Sequence, residues 1–279
     1  MAGMTTTFPA AWSGLVDDAA IFPPGDVPLP HAVDAHLARR DEWYAGLVGA
    51  FVVTDIKIPE VGTPLSLAVV VTGGAGGIEP ALRLAERGGH EVAGVEVALR
   101  DLDDLAGNAR RVAAATDGCG VPPEQVYVEL PHVPDTGSWL RAADAVAEAG
   151  LRLKFRTGGL EAHLFPASHA LARWIDAALD RETPFKCTAG LHNAVRHTGE
   201  DGFEHQGFLD VLVATLRAFD GAATDEVVAL FEDRDADSVV AAAREDDLGR
   251  ARRWFTSFGS CSVTEPLDDL LSLGLLEKP

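Results

Sequence analysis

The sequence predicts an α/β protein of the (β/α)8 TIM barrel class, with a helical insertion before the last strand. Short apolar runs bounded by glycine or proline alternate along the chain with segments of helical periodicity. The length of 279 residues is close to the ~250 that such a barrel typically takes. No repeat, low-complexity tract or linker divides the chain, so we expect residues 1–279 to form a single barrel domain.

Eight segments carry the strand pattern, and the run LSLAVVVT (65–72) is apolar throughout, as expected of a strand covered on both sides. The predicted strands are 14–22, 50–58, 65–72, 92–99, 125–130, 151–156, 185–188 and 255–263. The predicted helices are 30–46, 78–88, 101–115, 138–149, 168–179, 207–219 and 267–276. Residues 220–253 are acidic and helical in pattern, and they form the predicted insertion.

Composition narrows the classes of partner. The net charge of −20 makes broad binding to nucleic acid or to an anionic membrane unfavourable. No apolar run approaches membrane-spanning length, and the first residues lack the basic start and apolar core of a signal peptide. The glycine-rich loop 73–77 matches neither nucleotide-binding fingerprint, so it predicts a tight turn. We expect no cofactor and a small-molecule substrate, and a homo-oligomer stays open.

The three cysteines predict a reducing compartment. Cys119, Cys187 and Cys261 form no CxxC pair, so the sequence indicates neither a zinc site nor a disulfide framework. Unpaired thiols of this kind are typical of a cytoplasmic protein.

Two lysines occupy matched positions on neighbouring predicted strands. Lys154 and Arg156 alternate with apolar residues on the sixth strand, and Lys186 and Thr188 share one face of the seventh. If the apolar faces pack on helices, these polar side chains line the barrel interior. A buried lysine beside another cation loses its proton more easily, and a neutral amine attacks carbonyl groups. In the alternative interpretation, carboxylates pair with both lysines or their amines reach the barrel rim.

Carboxylates are predicted on the same inner face. Glu96 alternates with valines on the fourth strand and Glu129 on the fifth, so both point away from the helices. Asp17 and Asp18 lie near the end of the first strand, where either one of them points into the barrel or they have a turn or cap role, and Asp18 is the one that we assign to the site. Glu96 and Glu129 either form a structural ion-pair network or act as acids and bases beside a lysine.

Histidines collect after strands five to seven. Because catalytic residues of such barrels lie at the carboxyl ends of the strands, five histidines in these loops indicate a site at that rim. They are His132, His163, His192, His197 and His205.

Three runs resemble the C-terminal half of deoxyribose-phosphate aldolase, a Schiff-base (class I) aldolase. They are KFRTGG (154–159), PFKCTAGLH (184–192) and FGSCS (258–262). The same runs are similar to those of a group of uncharacterised bacterial proteins. The resemblance implies that Lys154 forms the Schiff base, that Lys186 lowers its pKa, and that Ser260 and Ser262 bind an anionic group with the glycine turns.

Other parts of the chain depart from the aldolase pattern. KCTAGLH stands where that family has a Gly-Gly-(Ile/Val)-Arg run, and Arg156 stands in place of a small polar residue. Glu96 is out of register with the family's acidic proton relay. The insertion 220–253 is not expected, and nothing matches clearly before residue 90.

The leading hypothesis is a lysine-dependent aldolase or lyase, acting on a small carbonyl compound that bears a carboxylate or phosphate. Lys154 attacks the carbonyl, which requires its pKa to fall from ~10.4 to near 7. Lys186 destabilises the ammonium form, and Glu96 or Glu129 transfers protons. The residues assigned to substrate binding are Arg156, Gly158, Gly159, Thr188, Gly190, His192, Ser260, Ser262 and Asp18.

Two other functions stay open. One is a divalent-metal lyase or isomerase with Glu96, Glu129 and a histidine such as His192 as ligands. The other is a non-catalytic barrel that binds a small acidic ligand or serves as an assembly subunit.

Overall fold

The structure is a computed structural model that describes residues 8–132 and 136–279, and its centre is a closed barrel of eight parallel strands. Around the barrel the eight strands follow one another in chain order, and the last strand, at residues 255–260, closes onto the first, at residues 16–18. Every neighbouring pair is parallel. The predicted (β/α)8 class is therefore confirmed.

The strands are shorter than the sequence pattern predicted at both ends of the chain. Their bounds are β1 Val16–Asp18, β2 Val48–Thr54, β3 Ser66–Val71, β4 Glu91–Ala98, β5 Val126–Glu129, β6 Arg152–Arg156, β7 Phe185–Thr188 and β10 Phe255–Ser260. The predicted strand 50–58 ends at Thr54, because residues from Asp55 to Glu60 form a 3-10 helix. A hairpin of β8 His197–Thr198 and β9 Glu204–His205 lies between β7 and the next helix.

Ten α-helices occur in the described ranges, and most of them surround the barrel. They are α1 Leu29–Ala38, α2 Ile78–Arg87, α3 Leu105–Gly118, α4 Gly137–Glu148, α5 Ser168–Asp180, α6 Phe208–Phe219, α7 Thr224–Glu232, α8 Ala236–Glu245, α9 Leu248–Ala251 and α10 Thr264–Ser272. Within the predicted insertion 220–253, α7, α8 and α9 pack on α6, and α7 also packs on α5. Among the described residues, no helix is long and apolar enough to cross a membrane.

Aromatic residues on the outer face of the barrel determine which side chains point inward. Phe155 of β6 and Phe185 of β7 are buried with ring centroids 5.1 Å apart, and Phe185 stacks on Phe255 of β10 at 5.5 Å. Trp174 of α5 covers Phe155 at 5.8 Å. Successive residues of a strand point to opposite faces. Lys154, which precedes Phe155, and Lys186, which follows Phe185, therefore point into the barrel.

Candidate active site at the carboxyl end of the barrel

Six charged side chains form a chain of alternating sign across the barrel interior. In order of contact they are Asp17, Lys186, Glu96, Lys154, Glu129 and Arg156. Alternation along β4, β5, β6 and β7 predicts the inward direction of five of them. Buried charges are costly unless they are paired and hydrogen-bonded, and here each cation lies against a carboxylate.

The first half of the chain is centred on Lys186. Its Nζ lies 2.6 Å from Asp17 Oδ2 and 2.6 Å from Glu96 Oε1. Asp17 Oδ2 also accepts a hydrogen bond of 2.8 Å from Ser257 Oγ, and Asp17 Oδ1 accepts one of 2.9 Å from the Ala50 amide. Both oxygens of Asp17 are thus engaged, and the amine of Lys186 is held between two carboxylates.

The second half of the chain is centred on Lys154. Its Nζ lies 2.7 Å from Glu96 Oε2 and 2.9 Å from Glu129 Oε2. Arg156 Nε donates to the other oxygen of Glu129 at 2.9 Å. Glu96 therefore shares one oxygen with each lysine, while Glu129 is shared between Lys154 and Arg156.

The Arg156 end of this chain is the most exposed to solvent. Glu96, Lys154 and Lys186 are each 2% exposed, whereas the side chains of Glu129 and Arg156 are 12% and 34% exposed. Glu129 ends β5 and Arg156 ends β6, so the accessible end is at the carboxyl ends of the strands. In barrels of this architecture, which commonly are enzymes, the active site lies at that end.

Both lysines hold their protons more tightly than a free lysine does. Burial lowers the pKa of Lys154, but the charges of Glu129 and Glu96 and their hydrogen bonds outweigh burial and raise it. The pKa of Lys186 is likewise raised by Asp17 and Glu96 against the effect of burial. The sequence-based expectation that Lys186 lowers the pKa of Lys154 is therefore wrong for this state, because Glu96 lies between the two amines.

The carboxylates show the complementary effect. Burial raises the pKa of Glu96, but Lys154 and Lys186 overcome it and lower the pKa to about 2. The pKa of Glu129 is also lowered, with Lys154 and Arg156 opposing burial. The interpretation of an ion-pair network, which the sequence left open, thus describes the arrangement of these residues.

Asp18, which the sequence analysis assigned to the substrate site, points out of the barrel. Its Oδ2 lies 2.7 Å from Arg39 Nη1 and 3.0 Å from His36 Nδ1, on the side of α1. Asp17 takes the inward position. The pair was ambiguous because β1 is only three residues long, so there is too little alternation to show which aspartate shares a face with the core.

Glycines after β6 and β7 are required by close packing of the two turns. A Cβ at Gly158 would lie 2.7 Å from the Cα of Gly190, and Gly190 itself has φ +80°. The Thr157 amide donates to the Thr188 carbonyl at 2.9 Å, which ties the turns together. A Cβ at Gly159 would overlap the Leu164 side chain. These contacts account for the glycines structurally, and substrate binding by Gly158, Gly159, Thr188 and Gly190 stays a prediction.

Ser260, Ser262 and His192 bind neighbouring groups at the same end of the barrel. Ser260 Oγ donates to the Ser262 carbonyl at 2.7 Å, and Ser262 Oγ accepts from the Glu265 amide at 3.2 Å in the first turn of α10. His192 Nδ1 lies 2.7 Å from Glu265 Oε2, and the Cys261 thiol lies 3.7 Å from His192 Nε2. An anion at the serines would have to replace these hydrogen bonds.

Of the other histidines at the predicted rim, three bind groups of their own loops and one packs against a helix. His163 pairs with exposed Glu161, and His197 Nδ1 lies 3.1 Å from the Val195 carbonyl. His205 Nε2 lies 3.0 Å from Asp201 Oδ2. His132 packs edge-on against Trp174 of α5, and burial lowers its pKa.

Asp17 and Ser257 complete the interior network. The sequence left the inward position open between Asp17 and Asp18, and it did not predict Ser257. In the register, Phe255 pairs with Phe185 and Phe258 with Cys187, so β10 has an irregularity between residues 255 and 258. This irregularity brings both Thr256 and Ser257 into contact with interior groups. Strict alternation, the only signal in the sequence, assigns one of the two to the wrong face.

Comparisons with models of known protein families and with curated proteins gave no match. The arguments about function therefore rest on the geometry of the barrel interior.

Proposed function

We propose that the protein is a lysine-dependent aldolase or lyase that acts on a small carbonyl compound carrying a carboxylate or phosphate. The observation that supports this most is the position of Lys154, whose amine lies between two carboxylates. One of these carboxylates, Glu129, is partly exposed to solvent at the carboxyl end of the barrel and also pairs with Arg156. This arrangement resembles the paired lysines of Schiff-base aldolases in residue type, and it adds a carboxylate that links the amine to a surface cation.

In this proposal the raised pKa of Lys154 describes the resting enzyme. Arg156 is the most exposed member of the chain and the natural ligand for the anionic group of a substrate. When that group binds Arg156, Glu129 loses part of the positive charge that lowers its pKa. Glu129 then accepts a proton from Lys154, because the carboxylate and the ammonium already lie 2.9 Å apart. The amine becomes neutral only when substrate is present.

The neutral amine of Lys154 attacks the substrate carbonyl and forms a carbinolamine. Glu129, now a carboxylic acid, returns its proton to the departing hydroxyl group, which leaves as water. The product is a positively charged iminium, so the charge carried by the ammonium of Lys154 at the start is conserved. The iminium withdraws electrons from the neighbouring carbon–carbon bond, which is the chemistry of a lyase. As the carbon–carbon bond breaks, the substrate hydroxyl group becomes the carbonyl of the leaving fragment and releases its proton, and the electron pair forms an enamine on Lys154. The enamine carbon takes up one proton, and hydrolysis of the resulting iminium releases the second product and restores Lys154.

Lys186 and Glu96 have a positioning role in this scheme. With its pKa lowered to about 2, Glu96 stays ionised and is a poor proton acceptor. Lys186 holds one oxygen of Glu96, and the other oxygen then directs the amine of Lys154 towards Glu129.

Borohydride trapping tests the proposal. The protein is mixed with a panel of small aldehydes and keto acids, borohydride is added, and adducts are mapped by peptide mass spectrometry. The chain has four lysines. Lys57, in the 3-10 helix after β2, and Lys278, beyond the end of α10, serve as internal controls. An adduct on Lys154 that requires an anionic carbonyl compound is expected, and it should be lost in Lys154→Met and weakened in Arg156→Gln. Equal labelling of Lys154 and Lys57 by every compound, or no adduct on Lys154, would refute it.

Each of the two lysines is paired with two carboxylates. This pairing favours one second candidate, a barrel that binds a small acidic ligand without turnover. A ligand would then raise the melting temperature, while no product appears and no adduct forms. Lys154→Met would weaken binding only.

The metal-dependent alternative has less support. Both oxygens of Glu96 and of Glu129 are engaged by cations, and His192 is bound to Glu265. Within the described ranges, no group of three histidine, cysteine or acidic side chains is placed to hold a metal ion.

A further inference from the structure

The hairpin of β8 and β9 packs on the turn that follows β7, at the carboxyl end of the barrel. The ring of His205 in β9 lies against Phe165, in the loop after β6, with centroids 4.6 Å apart. Its Nδ1 atom lies 3.3 Å from the Gly190 carbonyl oxygen. Gly190 is also the residue on which Gly158 of the candidate site packs. His205 therefore links the hairpin to the turns beside that site.

The turn after β7 has an unfavourable backbone conformation. Ala189 has φ +61° and Gly190 has φ +80°, and a residue with a side chain rarely adopts a positive φ. Such a conformation persists only where its surroundings hold it. The Thr157 hydroxyl donates to the Ala189 carbonyl at 2.5 Å, and His205 contacts the Gly190 carbonyl. A threonine hydroxyl does not titrate near neutral pH, so of these two contacts only that of His205 can respond to pH.

Both ring nitrogens of His205 face oxygen atoms that accept hydrogen bonds. Nδ1 faces the Gly190 carbonyl, and Nε2 lies 3.1 and 3.0 Å from the two carboxylate oxygens of Asp201. A neutral imidazole has one N–H donor, whereas the imidazolium has two. Only the protonated ring can therefore donate to both partners. After loss of one proton, a nitrogen lone pair faces one of the two oxygens, and that contact becomes repulsive.

Asp201 keeps its charge over the pH range in which histidines titrate. Burial raises the pKa of Asp201, but hydrogen bonds from the Phe203 amide and from His205 outweigh burial and lower it. The carboxylate thus remains an acceptor while the charge of the ring changes.

The other titratable and charged groups near the ring come from the hairpin and from the segment after α7. They are His197, whose ring stacks on His205 with centroids 5.1 Å apart, and Glu204, the preceding residue, with its partners Arg196 and Arg234. From the loops after β6 and β7, the ring meets an aromatic side chain and a backbone carbonyl, which do not titrate. Two charged imidazole rings at this distance would repel each other, so the tests include a variant of His197.

A second titratable group lies at the neck of the hairpin, where residues 196 and 207 enclose it. Asp210 Oδ2 accepts hydrogen bonds from the Arg196 amide at 2.7 Å and from the Gly207 amide at 3.1 Å. Burial raises the pKa of Asp210 to about 7. Ionisation of Asp210 acts on the neck, whereas protonation of His205 acts where the hairpin meets the turn after β7. Variants of the two residues separate these effects.

We propose that His205 is a pH-operated latch that holds the hairpin β8–β9 against the strained turn after β7. The doubly protonated ring closes the latch by bonding to Gly190 and to Asp201 together. Loss of one proton breaks one of these bonds, so the hairpin opens more often as the pH rises through the range of ~5–8 in which histidines change charge. The latch goes beyond the proposed lyase reaction and does not depend on it, because it involves contacts within the chain alone.

Hydrogen exchange followed by mass spectrometry tests the latch, since exchange reports local opening. Exchange of peptides from residues 196–206 is measured between pH 5.5 and pH 8, and each rate is divided by that of an unstructured chain at the same pH. We expect protection of the hairpin to fall at least ~3-fold as the pH rises, as loss of one hydrogen bond implies. Peptides from α3, on the β4 side of the barrel, are the internal control and should show no such change.

Variants and ring signals assign the effect to His205. In His205→Gln, whose amide does not titrate, protection should be independent of pH. His197→Gln is the matched control and should keep the pH dependence, because His197 Nδ1 contacts the Val195 carbonyl and not the turn after β7. Nitrogen-15 shifts of the His205 ring, assigned by their loss in His205→Gln, should titrate with the same midpoint as hairpin protection.

Three results would overturn the proposal. The first is an unchanged pH dependence in His205→Gln. The second is loss of the dependence in Asp210→Asn but not in His205→Gln, which would assign it to the neck. The third is a His205 ring whose protonation does not change between pH 5.5 and pH 8. If His205→Gln does not fold, Asp201→Asn decides the question, because removal of that charge should move both midpoints to lower pH.

Discussion

Replacing Glu96 by glutamine removes the one carboxylate that both buried lysines share. Its oxygens lie 2.6 Å from Lys186 Nζ and 2.7 Å from Lys154 Nζ. The glutamine oxygen can accept from only one amine, and its NH2 group then faces the other as donor against donor. Breaking a buried pair by removing one partner typically costs ~3–5 kcal/mol.

The pKa of Glu96 provides a second measure of this contribution. Lowering the pKa from 4.5 to about 2 corresponds to ~3 kcal/mol of preference for the ionised form in the folded state. Because the folded pKa lies below the unfolded one, this stabilisation is present above pH ~4.5 and is lost as the pH falls towards 2. We therefore expect Glu96→Gln to reduce the free energy of unfolding by about 3–5 kcal/mol at pH 7.

The variant should regain part of this stability in alkaline solution. Without Glu96, burial lowers the pKa of one lysine below its unfolded value. The folded state then binds fewer protons than the unfolded state between the two values, and stability rises with pH until it passes ~10.4. Lysine titration thus predicts a recovery of at least ~1 kcal/mol between pH 7 and pH 9.

Urea unfolding followed by tryptophan fluorescence measures both quantities. Glu91→Gln is the matched control, because Glu91 lies at the exposed start of the same strand. Its effect should stay within ~0.5 kcal/mol. A loss below ~1 kcal/mol for Glu96→Gln at pH 7, or the same loss at pH 7 and pH 9, would show that the two lysines do not depend on this carboxylate.

Three further predictions concern other parts of the fold. Burial raises the pKa of Asp210 to about 7, so stability is expected to fall as the pH rises from about 4 to 7; Asp210→Asn should remove this dependence and stabilise the protein at pH 8 in urea titrations. Burial likewise raises the pKa of the Cys261 thiol to about 11, so iodoacetamide should alkylate it at least tenfold more slowly than a free cysteine at pH 7.5, and equal rates would contradict this. Gly158→Ala should cost more than ~2 kcal/mol, because its Cβ would meet the Gly190 backbone, whereas Gly118→Ala, with open space around it, should be tolerated in thermal unfolding.

The sequence by itself determined the fold class and the inner faces of the central strands. Phe155 and Phe185 belong to the buried core, and the period of two along a strand then directs Lys154 and Lys186 inward. Neighbouring parallel strands also align equivalent residues, as the pairing of Lys154 with Lys186 shows. These inferences are local, since each needs only the residues of one or two strands.

Tertiary structure alone decided which charges meet and therefore the sign of each pKa change. Glu96 lies on β4, yet its carboxylate contacts the amines of both Lys154 on β6 and Lys186 on β7 across the barrel interior. The residue pattern of a single strand cannot predict contacts between side chains of different strands. The choice between Asp17 and Asp18 depended on pairing of β1 with β10, residues 16–18 with 258–260. Coulomb energies fall with distance, so the carboxylates in direct contact with the two amines outweigh burial and raise the pKa of both lysines.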